Sequence, residues 1–125
     1  MKLFTVDEAN ELLPEVRRRL ESIKAHYERL ASLREAVKAA ATSAALGGGG
    51  FESGSVYVKS LYEVGKITTE LHESGIQLKD YSRGLIDFPC MRDGRVVLLC
   101  WQLGEGDEIE WWHDLETGFA GRQRL

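Results

Sequence analysis

The sequence predicts an α+β fold in which a long antiparallel helical hairpin packs on a small antiparallel β meander. Three observations carry that expectation. Apolar residues recur at alternating steps of three and four from Val16 to Ala44, the spacing of one helix face. The glycine run 47–50 interrupts the pattern, and a second helical stretch follows and reaches Gly75. The last third then holds short apolar runs separated by turn sequences, Asp93-Gly94 and the segment from Leu103 to Glu108. With 125 residues and 43% hydrophobic composition, the chain has the size of one ordinary domain with a real core. The expectation is a single domain over 1–125, with the helical hairpin over 1–74 and the β meander and a C-terminal hook over 75–125.

Thr5 and Glu8 have the spacing of a capping box, in which the Thr5 hydroxyl accepts from the N–H of residue 8 and the Glu8 carboxylate accepts from the N–H of residue 5. A helix therefore starts near Val6. Pro14 has no N–H to donate and disfavours helical geometry at Leu13, so a kink or break is expected there, with the long helix running on from about Pro14. Its apolar stripe is Val16, Leu20, Ile23, Tyr27, Leu30, Leu33, Val37, Ala40 or Ala41, and Ala44. A helix of about 30 residues is about 45 Å long, more than a domain of this size is wide. Part of the stripe therefore needs a second helix and a second subunit to cover it in a coiled-coil-like seam, and the expected partner is another copy in a homodimer.

The run 47–50 reads as a flexible linker. A phosphate-cradling loop follows a strand, leads into a helix and carries a Lys-Ser/Thr pair that is missing here. The second helix fits over about 54–74, with Val58, Leu61, Tyr62, Gly65 and Leu71 inward and Gly75 as terminator. Gly65 costs a helix roughly 1 kcal/mol against alanine, which a close helix crossing would explain. His26 and His72 lie among charged neighbours and read as surface residues.

In the last third, Asp93-Gly94 is a two-residue hairpin signal because both central positions of a type I′ turn need positive φ. It sets Arg92 opposite Arg95, Met91 opposite Val96, Pro89 opposite Leu98 and Asp87 opposite Cys100. If Leu103 pairs with Glu108 across the next turn, Cys100 lies opposite Trp111 and Leu98 opposite His113. Side chains alternate along a strand. Asp87, Pro89, Leu98, Cys100, Trp111 and His113 then share one face, and Ile86, Phe88, Cys90, Val97, Leu99, Trp101 and Trp112 the other. Cys90 and Cys100 point apart, so both are expected as reduced thiols. Apolar groups on both faces imply a sheet covered on both sides.

The first face gathers Asp87, Cys100 and His113, residue types suited to a catalytic metal or to a nucleophile with its base. The register separates Asp87 and His113 by about 7 Å or more of backbone, diagonally across the middle strand. The plainer reading, which is favoured, makes Cys100 a buried small residue, lets Asp87 satisfy backbone groups and gives His113 a carboxylate partner. The acidic run Glu105, Asp107, Glu108, Glu110, Asp114 and Glu116 reads as a solvated edge rather than as a divalent-cation site or a surface for a basic partner. Gly118, Phe119, Gly121 and Arg122 form the hook: Phe119 anchors it and Arg122 pairs with Asp87 or Glu105, or else holds an anionic ligand. The ligand-binding candidates are therefore Asp87, Glu105, His113 and Arg122, and the metal candidates are Asp87, Cys100 and His113.

Particular motifs also carry a resemblance. They are F-T-x-x-E-A-N-x-L-L-P from Phe4 to Pro14, G-L-x-D-F-P from Gly84 to Pro89, and D-G-R from Asp93 to Arg95. L-C-W-x-x-G-E from Leu99 to Glu105, the Trp112-His113 pair and G-F-A-G-R from Gly118 to Arg122 complete the set. The chain resembles a family of small bacterial proteins known only as a domain of unknown function. That resemblance implies no activity and transfers no functional residue.

A net charge of −4 argues against a nucleic-acid partner, since affinity for phosphate needs a basic face. The basic cluster Arg17 to Arg19 is interleaved with acidic residues and reads as a solvated helix face. No window approaches a membrane span of about 20 apolar residues, so a soluble, cytoplasmic protein without a membrane partner is expected. No cofactor fingerprint is present. The favoured function is a noncatalytic interaction or assembly protein acting as a homo-oligomer. The alternative is a small-molecule or metal-binding domain, extending to a hydrolase, that uses the polar cluster of the meander.

Overall fold

In a computed structural model, which describes residues 1–45 and 51–125, Thr5 and Glu8 close the capping box at the start of the first helix. The Thr5 N–H donates to Glu8 Oε1 at 2.9 Å and the Glu8 N–H donates to Thr5 Oγ1 at 3.0 Å. Helix α1 (Val6–Ala45) continues through Pro14, so of the expected kink or break the break does not occur. Pro14 is exposed, while Leu13 and Val16 on either side of it are buried. A missing hydrogen bond is tolerated where packing anchors both halves of the helix to one core.

Helix α2 (Phe51–Glu73) returns along α1 and ends in a Schellman cap. Gly75 sits at φ 91°, its N–H donates to the His72 carbonyl at 3.0 Å, and the Ile76 N–H reaches the Leu71 carbonyl at 3.0 Å. The glycine run 47–50, read as a linker, lies outside the described residues. On α1 the expected stripe buries Val16, Leu20, Ile23 and Leu30, but Tyr27 is exposed and stacks on Tyr81 with ring centroids 5.6 Å apart.

The inward face of α2 agrees with the sequence expectation at Leu71 and differs from it elsewhere. Ser60, Val64, Thr68 and Leu71 are buried, whereas Val58, Leu61, Tyr62 and Gly65 are exposed. No neighbouring atom among the described residues lies within 4 Å of where a Gly65 side chain would begin, so Gly65 serves no close helix crossing among them. Two stripes with three- and four-residue steps coexist on this helix. The buried one includes Ser60 and Thr68, and Thr68 satisfies its hydroxyl by donating to the Val64 carbonyl at 2.7 Å.

Five antiparallel strands follow in the spatial order of the chain: β1 (Gln77–Asp80), β2 (Leu85–Arg92), β3 (Arg95–Gln102), β4 (Trp111–His113) and β5 (Gln123–Arg124). A 3₁₀ turn, Phe119–Gly121, precedes β5. Asp93 at φ 52° and Gly94 at φ 79° make the hairpin turn. The registers fall as the sequence places them, with Asp87 opposite Cys100, Pro89 opposite Leu98, Cys100 opposite Trp111 and Leu98 opposite His113. Pro89 needs no ladder donor because β1 pairs only with Leu85, Ile86 and Asp87, and its carbonyl accepts the Phe4 N–H at 2.7 Å.

Leu103 and Glu108 do not pair as a ladder. The intervening segment is instead a loop held from inside, with the Trp101 indole N–H donating to the Gly106 carbonyl at 2.9 Å and the Ile109 N–H to Asn10 Oδ1 at 2.7 Å. One face of the sheet, Ile86, Phe88, Cys90, Val97, Leu99, Trp101 and Trp112, packs with Leu13, Leu20, Ile23 and Leu71 into the core. Each of these buried side chains contributes roughly 1.5–3 kcal/mol. On the opposite face Asp87, Pro89, Leu98, Cys100 and His113 are buried as well.

Candidate functional site

The face turned away from the helices carries three buried polar groups on three adjacent strands. Asp87 on β2 and His113 on β4 are each 2% exposed, and Cys100 between them on β3 is 1% exposed. Strand alternation places all three on one side, and the pairing of Asp87 with Cys100 sets them directly across from each other. The backbone diagonal between Asp87 and His113 is closed by their side chains: His113 Nε2 lies 3.1 Å from Asp87 Oδ1.

Hydrogen placement follows from the partners. His113 Nδ1 lies 2.7 Å from the Asp114 carbonyl oxygen, which can only accept, so Nδ1 carries hydrogen and donates. The contact between Nε2 and Oδ1 then requires a second hydrogen. It makes the pair an imidazolium with a carboxylate or an imidazole with a carboxylic acid, and both arrangements are net neutral. That neutrality allows two ionisable groups to share a buried site.

Cys100 has its Sγ 4.0 Å from Arg122 Nη1. Burial, and next the charge of Asp87, push its thiol up to about 12, with Arg122 pulling the other way. At neutral pH it is therefore a protonated, unreactive thiol. Arg122 donates from Nη1 to both carboxylate oxygens of Glu105, at 3.0 and 2.9 Å. Glu105 Oε1 also accepts the Gln102 N–H at 2.8 Å. The guanidinium lies over the rings of Phe119, at 4.1 Å, and Trp111, at 4.8 Å.

The structure thus joins the ligand-binding and metal candidates into one sequence of contacts, Glu105 to Arg122 to Cys100 to Asp87 to His113. A cleft of about 190 Å³ opens over Asp87, Cys100 and His113. Lys79, Leu115 and Phe119 contribute to its walls, although Glu105 and Arg122 do not. Of these, Lys79 and Leu115 carried no sequence signal, because Lys79 sits at the register irregularity of β1 between Leu78 and Asp80 and Leu115 lies in the turn after β4. Both cysteines are free and point to opposite faces of the sheet.

The acidic edge is broken up by basic partners from elsewhere in the chain. Asp107 meets Arg17 at 3.1 Å, Asp114 meets Arg95 at 3.2 Å and Glu110 lies 3.8 Å from Arg124. Together with the pairing of Glu105, these contacts disperse the carboxylates that seemed uninterrupted in sequence.

Residues 2–125 match the model of a family described as "Uncharacterized conserved protein (DUF2203)", and the chain belongs to that family. No curated protein matches it. No solved structure matches it either.

Proposed function

We propose that this member of the family is a noncatalytic interaction or assembly protein that acts as a homodimer, with the outward face of α2 as its contact surface. One observation carries the reading. Val58, Leu61 and Tyr62 are 65%, 53% and 66% exposed and lie on one side of the helix with Gly65 and Thr69. A groove of about 480 Å³ on that side is lined by Leu61, Tyr62, Gly65 and Thr69, with Lys66 and Glu70 beside them. Large apolar side chains arranged along a helix contribute roughly 1.5–3 kcal/mol each once covered, and little while exposed.

A second copy suits this face because the face is complementary to itself. In an antiparallel crossing of two α2 helices about a two-fold axis, Tyr62 of each meets Gly65 of the other, and Val58 meets Thr69. Gly65, open within the chain, supplies the notch that a neighbouring aromatic ring needs. The reading treats 1–125 as one domain and places it in the cytoplasm with both thiols reduced. No described helix is long and apolar enough to cross a membrane.

The test is Leu61→Glu, which sets a charge in the middle of the surface without touching the core. Sedimentation velocity should show it at the 14.0 kDa mass of a single chain, with an unchanged circular dichroism spectrum, while the wild type sediments as a pair. A variant that sediments like a paired wild type would remove α2 from the interface.

A further inference from the structure

We propose that Asp87, Cys100 and His113 form a binding site for a thiophilic divalent transition metal, zinc being the best match, with one coordination position open to the cleft. Four independent features support this assignment. A carboxylate oxygen, a thiol sulfur and an imidazole nitrogen all lie within 4.8 Å of one another. With bonds of about 2.0–2.3 Å, ligand atoms around tetrahedral zinc are some 3.3–3.8 Å apart, so about an ångström of side-chain adjustment closes the set. The three residues stand on adjacent paired strands, which hold their directions more firmly than loops would.

The second feature is the bond from His113 Nδ1–H to the Asp114 carbonyl at 2.7 Å. An imidazole that ligates a metal through one nitrogen characteristically donates from the other to a carbonyl or carboxylate, which fixes ring orientation and tautomer. Here the nitrogen left facing the cluster is Nε2. It is the atom that meets Asp87.

Charge is the third. A thiolate and a carboxylate balance a divalent ion, and neutral imidazole adds nothing. Arg122, whose Nη1 lies 4.0 Å from the sulfur, is neutralised by its two contacts with Glu105 and can donate to the thiolate, while Lys79 lines the same cleft and adds a further positive charge near the site. In terms of atoms, the metal takes the place of the hydrogen between Nε2 and Oδ1 and of the hydrogen on Sγ, so one divalent ion enters and two protons leave. The thiolate excludes the harder calcium and magnesium, which take oxygen ligands.

The fourth is access. The cleft of about 190 Å³ has all three ligands in its lining. Three protein ligands with an open fourth position describe a site that can hold water or a small molecule on the metal. Cys90 faces the other side of the sheet and cannot join the set.

The experiment uses cobalt(II) as the probe on the intact, metal-free chain. One equivalent should produce the near-ultraviolet thiolate-to-cobalt charge-transfer band and the intense visible bands of tetrahedral cobalt, and zinc should abolish both. Cys90→Ser should keep the spectrum. Cys100→Ser should lose the charge-transfer band. Because Cys100→Ser also touches the sheet's interior, X-ray absorption of the zinc-loaded wild type supplies a reading free of mutation: one sulfur at about 2.3 Å and nitrogen or oxygen neighbours at about 2.0–2.1 Å. An aqua-cobalt spectrum at equimolar metal, a charge-transfer band that survives Cys100→Ser, or zinc with no sulfur or with two would each overturn the assignment. None of these outcomes depends on whether the protein is a dimer.

Discussion

Arg122 grips Glu105 across the end of the sheet, one nitrogen reaching both carboxylate oxygens at 3.0 and 2.9 Å, with the two side chains only 13% and 19% exposed. The contact ties the C-terminal hook to the loop after β3, and the stacking of Arg122 on Phe119 and Trp111 seals it. A pair this sheltered is worth more than a surface ion pair because little solvent screens it.

Arg122→Ala should therefore cost roughly 1–3 kcal/mol and lower the melting temperature, since Glu105 keeps its burial and loses its counter-charge. Thermal melts in plain buffer check this. An unchanged melting temperature, with loss of an anion-induced rise seen in the wild type, would make Arg122 a ligand-binding group instead.

Both thiols should react slowly in the native, metal-free protein. Burial pushes each of them up, Cys100 to about 12, so the thiolate that a disulfide reagent needs is scarce at neutral pH. Modification must wait for local opening. Thiol titration without denaturant should be slow for both and slowest for Cys100, and prompt reaction of Cys100 would show that a reactive thiolate is present at the cleft in the native state.

The capping box should respond to acid in a defined direction. Backbone and side-chain hydrogen bonds from Thr5 hold the Glu8 carboxyl below its ordinary 4.5. A group depressed in the folded state stabilises above its unfolded value and loses that contribution as pH falls through the folded value. Wild type should thus exceed Glu8→Gln in melting temperature at neutral pH, with the gap closing below about pH 4.5. A gap that persists in strong acid would assign the difference to something other than the carboxylate.

Gly65→Ala separates the chain from its assembly. Within one chain alanine meets no described atom and adds helix propensity, a gain of roughly 0.5–1 kcal/mol. In the proposed dimer the added methyl would fill the notch that receives Tyr62, so the dissociation constant should rise while the isolated chain becomes more stable. Dilution series and melts, read together, should move in opposite directions, and a variant that is more stable with unchanged association would move Gly65 out of the interface.

Much of the sheet was legible because its constraints are local. Asp93-Gly94 fixes the hairpin turn, and a period of two then decides the face of every residue of β2 and β3, whereas the face of β4 followed from setting Leu103 opposite Glu108, a pair that is not made although the register it implied is present. The contact between Arg122 and Glu105 was legible as one of two choices, since the hook is short and the carboxylates near it are few. The inward face of α2 was not legible. Val58, Leu61, Tyr62 and Gly65 fit a helical stripe as well as Tyr57, Ser60, Val64 and Leu71 do, and the more apolar set is the exposed one. Nor could sequence show that His113 spans the strand diagonal to reach Asp87, because that depends on a side-chain rotamer and on the Asp114 carbonyl that orients the ring.

The mass of the wild-type chain in solution tests the central claim most directly. Light scattering on purified protein across micromolar concentrations should give twice the chain's 14.0 kDa, falling towards a single chain only on strong dilution, as mass action requires. A mass of one chain at every accessible concentration would contradict assembly through α2.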